Sequence, residues 1–198
     1  MTRADIDEAV AVLCEGGVVV YPTDTFYGLA ADPRRSDAVA RLFAVKGRPT
    51  GQAIPLIACD VQQAAAAGEL NAAASRLARA FWPGPLSIVV PARDVICEEV
   101  RAADGTIAVR VPACDAARQL ARAFGFCITA TSANPSGQPA VTSAATVAGG
   151  LRGSVGLVLD GGETPGGAPS TLVDVRASQP RLIRPGAIAW DRVLRSLE

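Results

Sequence analysis

Histidine is absent from all 198 residues. That absence excludes a Ser-His-Asp triad, a Cys-His dyad and an HExxH zinc site together. Any chemistry must run on carboxylates, hydroxyls, arginines or bound ions. Net charge is missing too, with 19 basic residues against 19 acidic ones. Neutrality argues against a general grip on a polyphosphate backbone, while leaving room for a local basic pocket. No CxxC pair occurs among Cys14, Cys59, Cys97, Cys114 and Cys127. Their odd number and irregular spacing read as small buried hydrophobes in a reducing compartment, not as a metal cage or disulfide frame. No protein-bound zinc or organic cofactor is expected. No apolar run approaches the roughly 18 residues a membrane span needs. The opening TRADIDEAV is too acidic for a secretory leader. These absences predict a soluble, cytoplasmic protein with no membrane partner.

Lysine is nearly absent as well: 18 of the 19 basic residues are arginine, and Lys46 stands alone. In a chain rich in alanine, glycine and proline this suggests a coding bias that trades lysine for arginine. A lysine kept against that bias is a candidate functional residue.

What is present alternates between two hydrophobic periods. Ile6, Ala9, Val10 and Leu13 follow a helical spacing that ends at Gly16-Gly17. Gly17 to Tyr21 reads as a buried strand closed by Pro22. Ser36 is placed to cap a helix carrying Val39, Leu42 and Phe43, stopped at Gly47. Further helices are predicted on Ala74 to Phe81, on Ala117 to Phe124 and from Asp191. Strands are predicted at 54–58, 86–90, 106–111, 126–130, 155–159, 171–175 and 181–184. The pattern predicts a single α/β domain over residues 1–198, its motif-bearing core at about 5–190, with a twisted mixed sheet flanked by helices. The GGETPGG segment reads as a mobile loop within that domain.

Three segments are polar where a core would not need them to be. Tyr21-Pro-Thr-Asp-Thr-Phe-Tyr-Gly28 presents Thr23, Asp24 and Thr25 at the end of a strand, the end at which α/β sheets bind ligands. A turn that satisfies its own backbone explains it about as well. Lys46-Gly-Arg-Pro49 is explained by spacing alone as an ordinary helix end. The isolation of Lys46, with Arg48 beside it, tips the reading toward a phosphate clamp. Thr129-Ala-Thr-Ser-Ala-Asn-Pro-Ser-Gly137 crowds Thr131, Ser132, Asn134 and Ser136 into a turn suited to an anion. Arg110, Ser170-Thr171 and Arg184 are weaker candidates, since an arginine alternating with apolar neighbours is usually on a solvent face.

YPTDTFYGL, KGRP, PGPLSIVV, VRVP, TSANPSG, PSTLVD and LIRPG occur in this order. The ordered set resembles the YrdC/Sua5 family from about Tyr21 to Ile188, in its short, single-domain form. The resemblance implies a YrdC-like, DHBP synthase-like fold. It also implies an enzyme that joins ATP, L-threonine and bicarbonate into L-threonylcarbamoyladenylate. Pyrophosphate is released, and the adenylate serves threonylcarbamoyl modification of tRNA beside the anticodon. Magnesium is expected on the triphosphate, and a tRNA threonylcarbamoyl transferase complex as recipient, with weak or no direct RNA binding.

Carried over by motif, Lys46, Arg48, Ser132 and Asn134 would be catalytic. Thr50 and Arg184 would join them in holding ATP. Thr23, Thr25, Arg110, Thr131 and Ser170 would bind L-threonine, and the Gly161 to Gly167 loop would close over the site. One departure stands out: several relatives carry a histidine after the KGRP and PL motifs, whereas here that stretch is Pro55-Leu-Ile-Ala-Cys59. Two alternatives remain open at this point: a YciO-like paralogue with weak or different nucleotide-dependent activity, and an RNA-binding module.

Overall fold

The computed structural model describes residues 2–47, 53–147 and 149–198. Helix α1 (Arg3–Cys14) buries Ile6, Ala9 and Leu13, the stripe that its spacing predicts. Thr2 and Asp5 close a capping box at its start, each side chain accepting from the other's backbone N–H. Helix α2 (Ser36–Lys46) ends at Gly47, which takes the left-handed conformation glycine adopts without strain. Its start corrects the expected cap. Arg35 occupies the N-cap without a side-chain capping bond, and Ser36 instead donates to Glu99 at 3.2 Å.

Strands β1 (Val19–Tyr21), β2 (Gly28–Ala30) and β3 (Leu56–Ile57) precede helices α3 (Val61–Ala67) and α4 (Ala72–Phe81). Strand β4 (Leu86–Pro91), strand β5 (Thr106–Arg110) and helix α5 (Asp115–Phe124) follow. Then come β6 (Ile128–Thr129), β7 (Thr131–Ser132), α6 (Gly149–Arg152), β8 (Leu157–Val158), β9 (Thr171–Asp174), β10 (Arg181–Arg184) and α7 (Trp190–Arg195). The expected strands and helices are present, the strands mostly shorter than predicted and the helices at least as long. Four elements were not expected: α3, whose alanine run has no polar face to mark a period, the four-residue α6, and the short strands β2 and β7.

The expected mixed sheet is divided into two. One runs β7-β2-β1-β8 and the other β10-β9-β4-β5-β3-β6. Both mix parallel and antiparallel pairs: β1 lies antiparallel to β2 and parallel to β8, while β4 lies antiparallel to β5 and parallel to β9.

At one crossing the chain passes between the sheets within a single residue. Strand β6 ends at Thr129 in the larger sheet and β7 begins at Thr131 in the smaller, so the chain changes sheets at Ala130. Fully buried Thr129 rivets this crossing. Its Oγ1 accepts from Ala31 N–H at 2.8 Å and donates to the Leu29 carbonyl at 3.0 Å. The Tyr21 hydroxyl, also buried, donates to the Thr129 carbonyl at 3.0 Å. Burial pushes the Tyr21 phenol far above its usual range, so it remains a donor.

The cysteines are all free, but not all are buried: Cys59 and Cys127 are, while Cys14 is exposed at the end of α1. Cys127 behaves as a small core residue, its thiol pushed up to about 12 by burial. Among the described residues no helix is long and apolar enough to cross a membrane.

Arg176 ties the outer part of the larger sheet together, bonding Asp174 at 2.8 Å and Asp104 at 2.9 Å. Asp174 is held below the usual carboxylate range chiefly by Arg176, and Asp104 by Thr106 first and Arg176 second. A carboxylate with a lowered folded pKa adds stability that is complete above its unfolded value near 4 and is lost as pH falls through the folded one. Arg176→Met is therefore expected to lower stability at pH 7 by about 1 kcal/mol, after allowance for solvent screening at half-exposed Asp104. Thermal melts between pH 7 and pH 2 should show the gap between variant and wild type closing in acid. A gap independent of pH would mean the arginine acts through packing alone.

Candidate functional site

A cleft of about 350 Å³ opens where the two sheets meet. The β1–β2 connection supplies Thr23, Thr25 and Tyr27 to its wall, and the sheet crossing supplies Thr131 and Ser132. Ser87 on β4, Arg110 at the end of β5, Ser170 before β9 and Arg184 at the end of β10 complete its polar lining. Seven sequence candidates, far apart in the chain, thus share one cavity: Thr23, Thr25, Arg110, Thr131, Ser132, Ser170 and Arg184.

Thr23 is largely committed to its own turn. Its hydroxyl donates to the Phe26 carbonyl at 2.7 Å and accepts from Thr25 N–H at 3.1 Å, so the self-satisfying turn describes it well. The Thr25 hydroxyl lies 3.2 Å from that of Thr23.

Arg110 departs from the usual fate of an arginine on a strand, being 7% exposed. Its Nη1 approaches Asp24 Oδ1 at 2.8 Å, yet the pair is not aligned as a hydrogen bond. Both atoms are buried without any hydrogen-bond partner. Arg184 has the opposite character, exposed along a strand but anchored at its head. Its guanidinium donates to the Ser170 carbonyl at 3.0 Å and to Ser170 Oγ at 3.1 Å. Desolvation of that head lowers its pKa, and the nearby Arg110 charge lowers it further. Ser170 Oγ in turn lies 2.9 Å from Ser87 Oγ, both buried. Two guanidinium groups therefore face one cleft, an arrangement that attracts anions.

Lys46 and Asn134 stand behind this wall, not in it. The Lys46 ammonium, in a residue 7% exposed, donates to the Ser132 carbonyl at 2.6 Å and the Asn134 carbonyl at 3.0 Å. It also lies 3.3 Å from Ser132 Oγ and 3.4 Å from Asn134 Oδ1. Asn134 spends its amide on the Pro135 and Gln138 carbonyls. The lysine and the S-x-N turn thus form one assembly, with Ser132 as its face toward the cavity. Arg48 and Thr50 lie outside the described residues.

One expectation changes. The Gly161 to Gly167 loop does not line this cleft. It borders a neighbouring hollow with Pro22 to Asp24, Ala113 and Cys114, on the other side of the β1–β2 connection. It is tied down by Gly166 N–H to the Thr25 carbonyl, Thr164 N–H to the Thr142 carbonyl and the Tyr27 hydroxyl to the Gly162 carbonyl. Cys59, in the stretch that departs from the family pattern, is not among the residues lining the cavity, although Pro55 and Leu56 of that stretch are. Its thiol contacts Asp60 and its backbone N–H donates to the Gln63 side-chain oxygen at 2.8 Å, by the start of α3. Sequence reasoning missed Ser87, although a lone hydroxyl within the apolar run Leu86–Val90 was a signal for it.

The fold and cleft together define an α/β protein with a polar cavity at a sheet junction, lined by two arginines. A family model, Sua5/yciO/yrdC, described as "Telomere recombination", matches residues 11–186. The chain is 39% identical over 186 residues to the threonylcarbamoyl-AMP synthase of Pyrococcus abyssi (strain GE5 / Orsay), covering 93% of this chain and 55% of the relative. The chain spans about half the length of that relative, and of the Bacillus subtilis (strain 168) protein of the same name. The structure of P. abyssi Sua5 complexed with L-threonine superposes with a TM-score of 0.91 at 36% identity, over 96% of this chain and 56% of that one. E. coli YciO superposes with a TM-score of 0.84 at 26% identity, over 93% of this chain and 90% of its own. The chain belongs to the Sua5/YciO/YrdC family.

Proposed function

We propose that the chain makes L-threonylcarbamoyladenylate from L-threonine, bicarbonate and ATP, releasing pyrophosphate. The product would pass to a tRNA threonylcarbamoyl transferase complex for modification beside the anticodon. One observation carries the reading: candidates from widely separated motifs converge on a single cleft containing two arginines. The names of the relatives, and the threonine complex of a protein 36% identical to this chain, support it.

The reaction needs no histidine. The amine of threonine adds to carbon dioxide from bicarbonate, and the carbamate oxygen then attacks the α-phosphorus of ATP. A P–O bond forms as the bond to pyrophosphate breaks. The protein's part is to align attacking and leaving oxygens and to stabilise phosphate charge. Arg110 offers N–H groups to the threonine carboxylate, with Thr131, Ser170, Thr23 and Thr25 around it. Ser132 faces the α-phosphate, its turn held by Lys46 and Asn134, while Arg184 meets the nucleotide. Arg48 and Thr50 belong to the same proposal by motif. Among the described residues no group of three or more Cys, Asp or Glu could hold a metal ion. Magnesium enters only as the counter-ion of the ATP substrate. A net charge of zero favours little direct RNA binding.

Pyrophosphate release from ATP tests the proposal, measured with and without L-threonine and bicarbonate and with serine as control. Release that requires both threonine and bicarbonate is expected. ATP binding without release would move the assignment to a YciO-like activity. Salt-sensitive RNA binding without ATP binding would move it to an RNA module.

A further inference from the structure

Asp24 lies between the two hollows at the sheet junction and lines only the one on the far side of the cleft. Its Oδ2 accepts the Ala113 N–H at 3.1 Å, and its neighbours are locked by the Thr23 turn. Its Oδ1 lies 2.8 Å from Arg110 Nη1. Arg110 is fixed at its backbone as well, with its carbonyl accepting the Ala58 N–H at 2.9 Å. Its long side chain would otherwise sample many rotamers and be repelled by the charge of Arg184. Among the described residues, Arg110 Nη1 is buried with no hydrogen-bond partner.

We propose that Asp24 is a positioning residue. It holds the Arg110 guanidinium in the cleft wall by charge alone, leaving the N–H fork unspent for the carboxylate of an amino-acid substrate. The charges are matched to that task. Arg110, Arg184 and Asp24 sum to +1, enough for one carboxylate without the penalty of two uncompensated guanidinium groups. An aligned, fully hydrogen-bonded Asp–Arg pair would occupy the fork that the substrate needs. The inference rests on the threonine reading of the cleft.

Calorimetric titration of the full chain with L-threonine, and separately with ATP, tests it. Asp24→Asn keeps the shape and the acceptor for Ala113 while removing the charge. It should weaken threonine binding by about tenfold and leave ATP binding unchanged. In an Arg110→Met background the same change should do nothing further to threonine, and Asp24→Glu should recover part of the loss. Equal weakening of both ligands, or a full Asp24→Asn effect in the Arg110→Met background, would mean a merely structural role and overturn the inference. If Asp24→Asn does not fold, Asp24→Ser carries the same expectations. Wild-type protein that binds threonine, with Asp24→Asn binding it equally well, overturns this inference alone. Wild-type protein that binds no threonine overturns the proposed function and this inference together.

Discussion

Replacing Lys46 by Met should cost the protein both stability and rate. A lysine reaching freely into a phosphate site would give up rate alone. Here the ammonium is buried and donates to the carbonyls of Ser132 and Asn134 at 2.6 and 3.0 Å. Methionine preserves the stem and its packing but leaves those carbonyls facing an apolar end. Buried acceptors that lose a charged donor cost about 3 kcal/mol together, a fall of roughly 6–12 °C in Tm for a chain of this size. The rate should fall by on the order of a hundredfold, because the turn that aims Ser132 loses its clasp. Thermal melts and pyrophosphate release, measured on the same preparation, separate the two losses. An unchanged Tm with a lost rate would restore the simple phosphate clamp. An unchanged rate with a lowered Tm would make Lys46 a purely structural lysine.

Lys46 also marks the boundary of what was legible beforehand. Its isolation among arginines singled it out, and the fold uses it as a buried organiser of the S-x-N turn. Sequence order pointed to that turn, but only tertiary geometry determines whether the ammonium faces the cavity or the loop. Arg110 was discounted because alternation on a strand usually points a charge outward. The rule fails here because Asp24, distant in sequence, supplies a counter-charge across the sheet junction. The helices were legible wherever a polar face sets the period, as in α4 and α5. Helix α3 was not, because a run of alanines satisfies every face equally. Strands β2 and β7, of three and two residues, are too short to carry an alternation. Strand β2 pairs with β1 across the short 22–27 connection, while β7 exists because the crossing at Ala130 brings it to the free edge of β2, a long-range fact with no local trace. The motif set nevertheless identified seven of the residues in the cleft wall, since chemistry at a binding site leaves polar residues where packing alone would not.

Gly186→Ala should be the most damaging small substitution in the cleft's surroundings, although Gly186 itself carries no chemistry. A Cβ at that position would fall well inside contact distance of the Pro169 carbonyl oxygen and Thr171 nitrogen, and 2.5 Å from the Ser170 carbonyl carbon. All three are backbone atoms, so no flexible side chain can yield. The 169–171 segment is fixed from every direction. Thr171 N–H donates to the Pro85 carbonyl at 3.0 Å and the Pro169 carbonyl accepts Ala187 N–H at 2.9 Å. The Thr171 hydroxyl bridges to the Ile188 backbone at 2.7 and 2.9 Å. Relief requires displacing either this segment or the chain at Gly186, at a cost of about 3 kcal/mol. The displaced segment carries Ser170, to which Arg184 and Ser87 are bonded. Threonine binding should therefore weaken along with stability, and further than the Tm loss alone accounts for at temperatures where the variant remains folded. Titration with L-threonine at 15 °C, alongside a melting curve, is the measurement. A variant with lowered Tm and unaltered threonine affinity would show that the strain is released away from Ser170, and that this wall of the cleft can move without consequence for the ligand.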